Sequence, residues 1–461
     1  MRLENRPPRR SKDPGSCGQI GAFATGTRAP PHDSVGSLTA FLLSPPESIV
    51  WAPESPLLSV AFRNRVYQHK KWLGYPIFIF LREAYGEYDE AEGPPFVKKT
   101  KEECMWKPER CDLCGDCLEA CLYLGYDRER AQKEMKALIA GKHSSVLDDC
   151  ITCCGCNTYC TRGARPFDLI IHRMEEEGSA LKKGCATALL EVFCFNLARN
   201  FTRKTIKGAP WMSICCMEYF QPHLFWDSKL FEGMNIVGGG DYFCVNGMVH
   251  GRQDTAVFEN MPAYVERLNK LPTDEIVFYH DECYAPFFSY AKDMKLEPNF
   301  RPVHLLEWLI KVVKDNYKEV RKLGLRTAIQ LPCSIRCGPD RHVWIEELFD
   351  LLGVELVERK YDRRNQICCG AVAGLGGGAS EDLSENQRFS QEIRDKNIAD
   401  AKHYEADHML FLCPFCYAAL ARDAKASGIM PVMAADLVRM SLYGEEPTEY
   451  VTALERGWIN E

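Results

Sequence analysis

Between about residues 205 and 445, short apolar runs alternate with amphipathic stretches. Glu275-Ile276-Val277-Phe278-Tyr279 and the run Leu325 to Leu331 have the length and content of buried strands. Each is followed by a helical pattern, and strand–helix alternation of this kind predicts an α/β architecture. The region also contains a repeat. Ile276 to Ala285 (IVFYHDECYA) aligns with Met409 to Ala418 (MLFLCPFCYA), and Pro302 to Leu309 (PVHLLEWL) aligns with Pro431 to Val438 (PVMAADLV). Two matches in the same order point to a duplicated unit, covering residues 205–320 and 321–445.

Upstream the pattern changes. Residues 104–200 are dense in cysteine, with a predicted helix from Asp127 to Ala140 between two cysteine clusters. Residues 1–55 are rich in Pro, Gly, Ser and Arg and read as a disordered tail. Residues 56–103 read as a linker or docking segment. Its apolar patch, Trp72 to Phe80, is interrupted by Gly74 and Pro76.

Composition narrows the classes. With 461 residues, 46% of them hydrophobic and 26% charged, the chain has an ordinary globular balance and room for two to four domains. A net charge of −7 gives no electrostatic case for nucleic acid. No apolar stretch is long enough to span a membrane. The outlier is 23 cysteines. A disulfide framework needs an oxidising compartment. Arg9-Arg10 hints at a twin-arginine signal, but no apolar core follows, since Leu38 to Leu43 is too short. Reduced thiols that bind metal, in a chain that is cytoplasmic or peripheral at the cytoplasmic membrane, are therefore expected.

Spacing says which metal. Cys111-x2-Cys114-x2-Cys117-x3-Cys121 is followed by Cys150-x2-Cys153-x2-Cys156-x3-Cys160. Two such runs are highly specific for a pair of [4Fe–4S] cubanes, because three closely spaced thiolates wrap one cube and the fourth reaches the other. That assigns Cys111, Cys114, Cys117 and Cys160 to one cube, and Cys150, Cys153, Cys156 and Cys121 to the second. The fourth cysteine is expected at the start of the following helix. Cys154 is surplus, and the proline that usually follows the fourth cysteine is replaced by Leu122 and Thr161. Zinc is the competing reading.

A second constellation lies in the last unit: Cys333, Cys368-Cys369-Gly370 and Cys413-x2-Cys416. Each group follows a strand-like stretch, and sites in α/β folds assemble at the carboxyl ends of strands. Gly370, Gly374 and Gly376 to Gly378 are expected to let backbone approach a large inorganic ligand. No phosphate-loop motif is present. Cys337 is an additional thiol nearby.

The order C … C-C-G … C-x-x-C resembles the cysteine-rich CCG domain of the heterodisulfide reductase family. A two-cubane module followed by a duplicated CCG domain is similar to the fused form of heterodisulfide reductase, in which one chain unites the ferredoxin-type and CCG-type subunits. Similar chains occur in glycolate oxidase, anaerobic glycerol-3-phosphate dehydrogenase, benzoyl-CoA reductase complexes and the sulfite-reduction-associated membrane complex. The resemblance covers residues 104 to about 445. It implies a mixed α+β and α/β multidomain chain: an α-helical two-cluster ferredoxin-type domain, then two α/β cysteine-rich repeats. It also implies that Cys333, Cys368, Cys369, Cys413 and Cys416 hold a noncubane [4Fe–4S] cluster at which disulfide or thiol chemistry takes place.

The first repeat departs from the pattern. Cys215-Cys216 supplies an opening cysteine, Cys244 stands where C-C-G is expected, and Cys283 ends an H-x-x-C whose first position is His280. This half either holds a smaller cluster or metal through three thiolates and the histidine, or is purely structural. One noncubane cluster is expected rather than two. Among other candidates, His304 reads as a core or helix-capping residue, and Cys185 and Cys194 as core residues of a helix. Arg162 and Arg165 read as solvated, and Cys17 and Cys104 have no partner pattern.

Two functional classes follow from the resemblance. One is an oxygen-sensitive oxidoreductase subunit that passes electrons through the cubanes to the noncubane site. The other is a conduit without its own substrate, linking a flavoprotein dehydrogenase or acyl-CoA reductase to quinone, ferredoxin or a membrane subunit. Its partners would be flavoprotein, ferredoxin or membrane quinone-reactive subunits. A zinc scaffold is the third reading.

Overall fold

The computed structural model describes residues 104–177, 201–203, 206–215, 217, 222–226, 228–291, 293–337, 341–373 and 383–447. The expectations for the tail 1–55, the segment 56–103, Cys17, Cys185, Cys194, Cys216, Gly374 and Gly376 to Gly378 lie outside these residues.

Residues 104–177 are helical, with no strand among the described residues. Helix α1 (Asp116–Glu119) and helix α4 (Gly155–Tyr159) are single turns that carry cysteines. Between them run α2 (Arg128–Ile139) and α3 (Ser145–Asp149), and α5 (Pro166–Glu176) follows. Asp127 starts α2 where the sequence predicts, accepting the Arg130 N–H at 2.9 Å. Ala131, Met135 and Leu138 recur at helical spacing on its buried face.

Two α/β units follow. The first sheet has the order β1-β3-β2-β4-β5: β1 (Phe201–Arg203), β2 (Trp211–Ser213), β3 (Asn235–Gly238), β4 (Glu275–Phe278) and β5 (Arg301–His304). The second has the order β7-β6-β8-β9: β6 (Arg326–Gln330), β7 (Glu355–Leu356), β8 (His408–Phe411) and β9 (Met430–Met433). Apart from the antiparallel edge strand β1, every pairing is parallel. The sequence repeat is therefore a topological one, with β3-β2-β4-β5 matching β7-β6-β8-β9. Parallel strands bury both faces, which explains why Ile276 to Phe278 and Met409 to Phe411 are continuously apolar.

The repeats join through the helices that follow their last strands. Helix α8 (Leu305–Asp315) packs against α12 (Ala434–Tyr443), and α8 also meets α9 (His342–Leu352). Helix α12 is buried on nearly every side, so it serves as a shared core element. His304 is a capping residue, as expected: its Nδ1 accepts the Leu306 N–H at 3.1 Å.

The helical module is clamped to both repeats. The Glu175 carboxylate accepts the N–H groups of Asp254 and Thr255 at 2.8 and 2.9 Å, at the start of α6 (Thr255–Leu268). Buried Arg252 donates to the carbonyls of Leu147 and Cys150 at 2.9 and 3.1 Å. Arg162 is exposed beside Asp112, as the sequence suggests. Arg165 is not: only 17% exposed, it pairs with Asp168 and donates to the Ser289 carbonyl. Its neighbours in sequence suggest a solvated role, but its fixed partners come from α5 and the first repeat.

Candidate metal and redox site

Two loops gather the eight cysteines of the four-cysteine runs. Left-handed backbone falls at matching places in both, at Leu113 and Gly115 (φ 59° and 83°) and at Thr152 and Cys154 (φ 57° and 61°). The chain thereby curls around a centre, and surplus Cys154 occupies the turn position that Gly115 holds in the first loop. The fourth cysteines differ from expectation. Cys121 lies just beyond α1, and Cys160 caps the carboxyl end of α4. Each closes the short helix bearing the third cysteine instead of opening the next one.

The neighbourhoods are exchanged between the runs. Cys160 lies beside Cys111 and Cys117, while Cys121 lies beside Cys150 and Cys153. Backbone N–H groups face the sulfurs: Thr152 donates to Cys150 Sγ at 3.3 Å and Ala164 to Cys160 Sγ at 3.4 Å. Burial pushes the Cys121 thiol up to about 12, and its neighbours Cys153 and Cys150 add to the rise. Cys117 and Cys156 are raised in the same way. Four thiolates cannot coexist so closely in a buried site without a cationic centre. The donor sets therefore fit metal clusters.

In the second repeat Cys333 follows β6 and Cys413 follows β8, both at carboxyl strand ends. Cys416 lies in the first turn of α11 (Pro414–Ala426). The thiols form an unbroken chain of contacts, Cys333 to Cys368 to Cys369 to Cys416 to Cys413. All but Cys333 are buried. Gly370 has φ 91°, and a Cβ there would stand 3.0 Å from the Ser390 carbonyl. That contact belongs to α10 (Leu383–His403). The glycine thus serves a left-handed turn and close packing against a helix, and no contact of it with a ligand is needed to explain it.

The segment after the first four-cysteine run and the second four-cysteine loop both pack onto this site. The Cys368 N–H donates to the Tyr123 hydroxyl at 2.7 Å, and Arg336 donates to the carbonyls of Cys153 and Gln366 at 2.8 and 2.5 Å. Arg336 lies in the field of both Cys153 and Cys333. Sequence reasoning missed both residues. Their signal was adjacency alone, two residues after Cys121 and three after Cys333.

The first repeat brings Cys215, Cys244 and Cys283 together, with every sulfur within 4.8 Å of the others. His280 does not join them. Its Nε2 lies 3.2 Å from Cys413 Sγ, across the boundary between repeats. Burial works against the imidazole proton, but the Cys413 charge and hydrogen bond outweigh it. Burial likewise raises Cys413, yet the Cys416 contact and His280 bring it below the usual thiol range. Beyond His280, Glu282 accepts from His250 at 3.0 Å, and His250 Nδ1 donates to the Thr152 carbonyl at 2.7 Å. The residue between them in sequence, Asp281, is fully buried and binds His304, Ser334 and Arg341, which ties the two repeats together.

With this geometry in hand, residues 327–421 match the CCG family, a cysteine-rich domain. The match spans β6 to the middle of α11 and includes all five thiols of the second repeat. A comparison with curated proteins found no match. The CCG domain and the clustered thiols fit an iron–sulfur protein with a redox, electron-transfer role. Among the described residues, no helix is long and apolar enough to cross a membrane.

Proposed function

We propose that the chain is an iron–sulfur oxidoreductase subunit, with two [4Fe–4S] cubanes and one noncubane [4Fe–4S] cluster serving disulfide or thiol chemistry. The observation that carries this is the junction of the four-cysteine module with the five-thiol site, through Tyr123 just after the first run and Arg336 against the second loop. Cys111, Cys114, Cys117 and Cys160 would hold one cubane, and Cys121, Cys150, Cys153 and Cys156 the other. Cys333, Cys368, Cys369, Cys413 and Cys416 would hold the third group. When bound, the cubanes supply single-electron transfer and the third group a place for a two-electron thiol–disulfide couple.

The chain's own residues set the conditions. Arg336 places a positive charge between two sets of thiolates, and Tyr123 fixes the Cys368 backbone against the second loop. His280 donates to Cys413, which favours its thiolate. Cys333 is the one residue of the five that is not fully buried, and on this reading a substrate thiol would approach from its side. Redox partner subunits on this reading are a flavoprotein, a ferredoxin or a membrane quinone-reactive protein.

The test is EPR of anaerobically purified protein, oxidised with and without a small thiol. A paramagnetic signal that requires the thiol, and that is lost in Cys369→Ser, is expected. Burial of four of the five thiols favours the second reading, a conduit without its own substrate. A thiol-independent signal would support that reading instead. Iron and acid-labile sulfide near zero would remove both.

A further inference from the structure

Strand β7 leaves its neighbour early. It pairs with β6 at Arg326↔Glu355 and Thr327↔Leu356, and the Val357 N–H closes the ladder on the Thr327 carbonyl at 3.0 Å. Beyond that point side chains take up the same edge of β6, since buried backbone groups left without partners are costly. Arg359 Nη2 donates to the Ile329 carbonyl at 2.8 Å. The Gln366 amide takes both groups of Leu331: its Oε1 accepts the N–H at 2.9 Å, and its Nε2 donates to the carbonyl at 2.6 Å. Thr327, Ile329 and Leu331 alternate along the strand, so the two side chains continue the ladder where β7 has turned away.

That detour delivers two thiols. The chain returns as Gln366-Ile367-Cys368-Cys369, and Gln366 stands two residues before Cys368 as Leu331 stands two before Cys333. The clamp is therefore equally close to two thiols that touch each other. The Gln366 carbonyl also accepts from Arg336, which holds the Cys153 carbonyl as well. One residue thus meets the Cys333 loop, the Cys368 loop and the second four-cysteine loop. Behind it, Gln330 Nε2 donates to the Ile367 carbonyl at 3.3 Å, and Asn397 Nδ2 of α10 donates to Gln330 Oε1 at 2.6 Å. Gln330, Gln366 and Asn397 are all at most 3% exposed. Only one orientation of the Gln366 amide serves an N–H and a carbonyl together, so the contact fixes that side chain.

In the first repeat, which lacks the five-thiol pattern, backbone pairing takes the place of the clamp. There β3 stays beside β2: the Ile214 N–H donates to the Val237 carbonyl at 3.0 Å, and the Gly239 N–H to the Cys215 carbonyl at 2.7 Å. Ser213 occupies the register position of Gln330, for the two lie opposite the aligned residues Phe278 and Phe411. Tyr242 and Phe243 precede Cys244, where Gln366 and Ile367 precede Cys368. The other flank is alike in both repeats, with β4 leading into α7 (Asp281–Tyr284) and β8 into α11. The clamp thus belongs to the flank that carries Cys333, Cys368 and Cys369, and is no general property of the repeat.

We infer, on the reading that these thiols hold a third cluster, that Gln366 is a positioning residue of the five-thiol site. Its amide, backed by Gln330, sets the spacing of Cys333 from Cys368 and Cys369, and with it the redox behaviour of the group they hold. The four-cysteine loops meet Gln366 through its backbone carbonyl, so their own thiols do not depend on the amide.

The experiment compares the full chain with Gln366→Met, both purified anaerobically, by EPR-monitored redox titration in the presence of a small thiol. Methionine keeps the length of the side chain and removes both bonds to Leu331. In the parent, a third signal beside those of the cubanes is expected. Gln366→Met should shift the midpoint potential of that signal and lower its amount several-fold relative to the cubane signals of the same sample. A third signal unchanged in potential and amount overturns the assignment, even in a variant that unfolds more readily, because a purely structural role predicts that result. Equal loss of all three signals overturns it too. Should Gln366→Met not fold by circular dichroism, Gln330→Met removes only the outer support; a smaller shift confined to the third signal is expected, and no shift overturns the assignment. A parent with cubane signals and no third signal refutes the proposed third cluster itself, and the role of Gln366 falls with it.

Discussion

Replacing Asp281 with alanine isolates the interaction that holds the two repeats in register. The carboxylate and the Arg341 guanidinium are both 0% exposed. Asp281 also accepts from Ser334 Oγ at 2.7 Å, Arg341 Nη2 at 2.8 Å and His304 Nε2 at 2.9 Å. Asp281→Ala leaves a buried guanidinium without its counter-charge, an effect of about 3–5 kcal/mol. With a urea slope of about 1–3 kcal/mol/M, the midpoint falls by on the order of 1–2 M. Urea unfolding followed by far-ultraviolet circular dichroism measures it. The double variant Asp281→Leu/Arg341→Met removes both charges and is expected to cost about 1–3 kcal/mol less than the two single changes added together. A single-variant cost below about 1 kcal/mol, or strict additivity in the double variant, refutes the reasoning. The pH dependence has a definite sign. Burial alone would raise the carboxyl, but Arg341 and His304 hold it far below its ordinary value of 3.8. Its contribution is therefore complete above that value and is lost as pH falls through the lower, folded-state pKa. Asp281→Asn should lack that acid-dependent loss.

Other consequences are open to measurement. Arg336→Met removes a positive charge from between Cys153 and Cys333, so on the proposed function both adjoining clusters should become more negative by tens of millivolts; EPR-monitored titration showing neither potential moved contradicts this. Tyr123→Phe strands the Cys368 N–H, at a cost of about 1–3 kcal/mol, and an unchanged unfolding midpoint argues against the contact. Gly370→Ala forces a side chain into φ 91° and against the Ser390 carbonyl, so a loss of about 1–3 kcal/mol is expected in the same assay. An alanine variant as stable as the parent would mean that the turn relaxes freely.

Much of the architecture was legible because it is local. Strand periods and the aligned segments around Cys283 and Cys416 correspond to β4, β5, β8 and β9, and the Asp127 cap marked α2. The cysteine spacings named the thiols that now lie together. The fourth cysteines were misplaced by one helix, because spacing fixes which thiols can converge but not which turn ends a helix. Arg165 was misread for a related reason: its partners lie in α5 and the first repeat.

His280 shows where sequence reasoning stopped. Alignment of the repeats placed it at the position of Cys413, and so among the thiols of its own half. The packing of α8 on α12 turns one repeat toward the other, and the two aligned positions meet face to face, imidazole to sulfur at 3.2 Å. The sequence by itself determined the elements, the duplication and the inventory of clustered thiols, all of which depend on short-range spacing. Only the tertiary structure decided which loops adjoin. It set Arg336 and Tyr123 between the second cysteine loop and the five-thiol site, and it closed Cys215, Cys244 and Cys283 into a single compact group. Those contacts depend on how sheets and helices pack, and packing joins residues that no pattern along the chain connects.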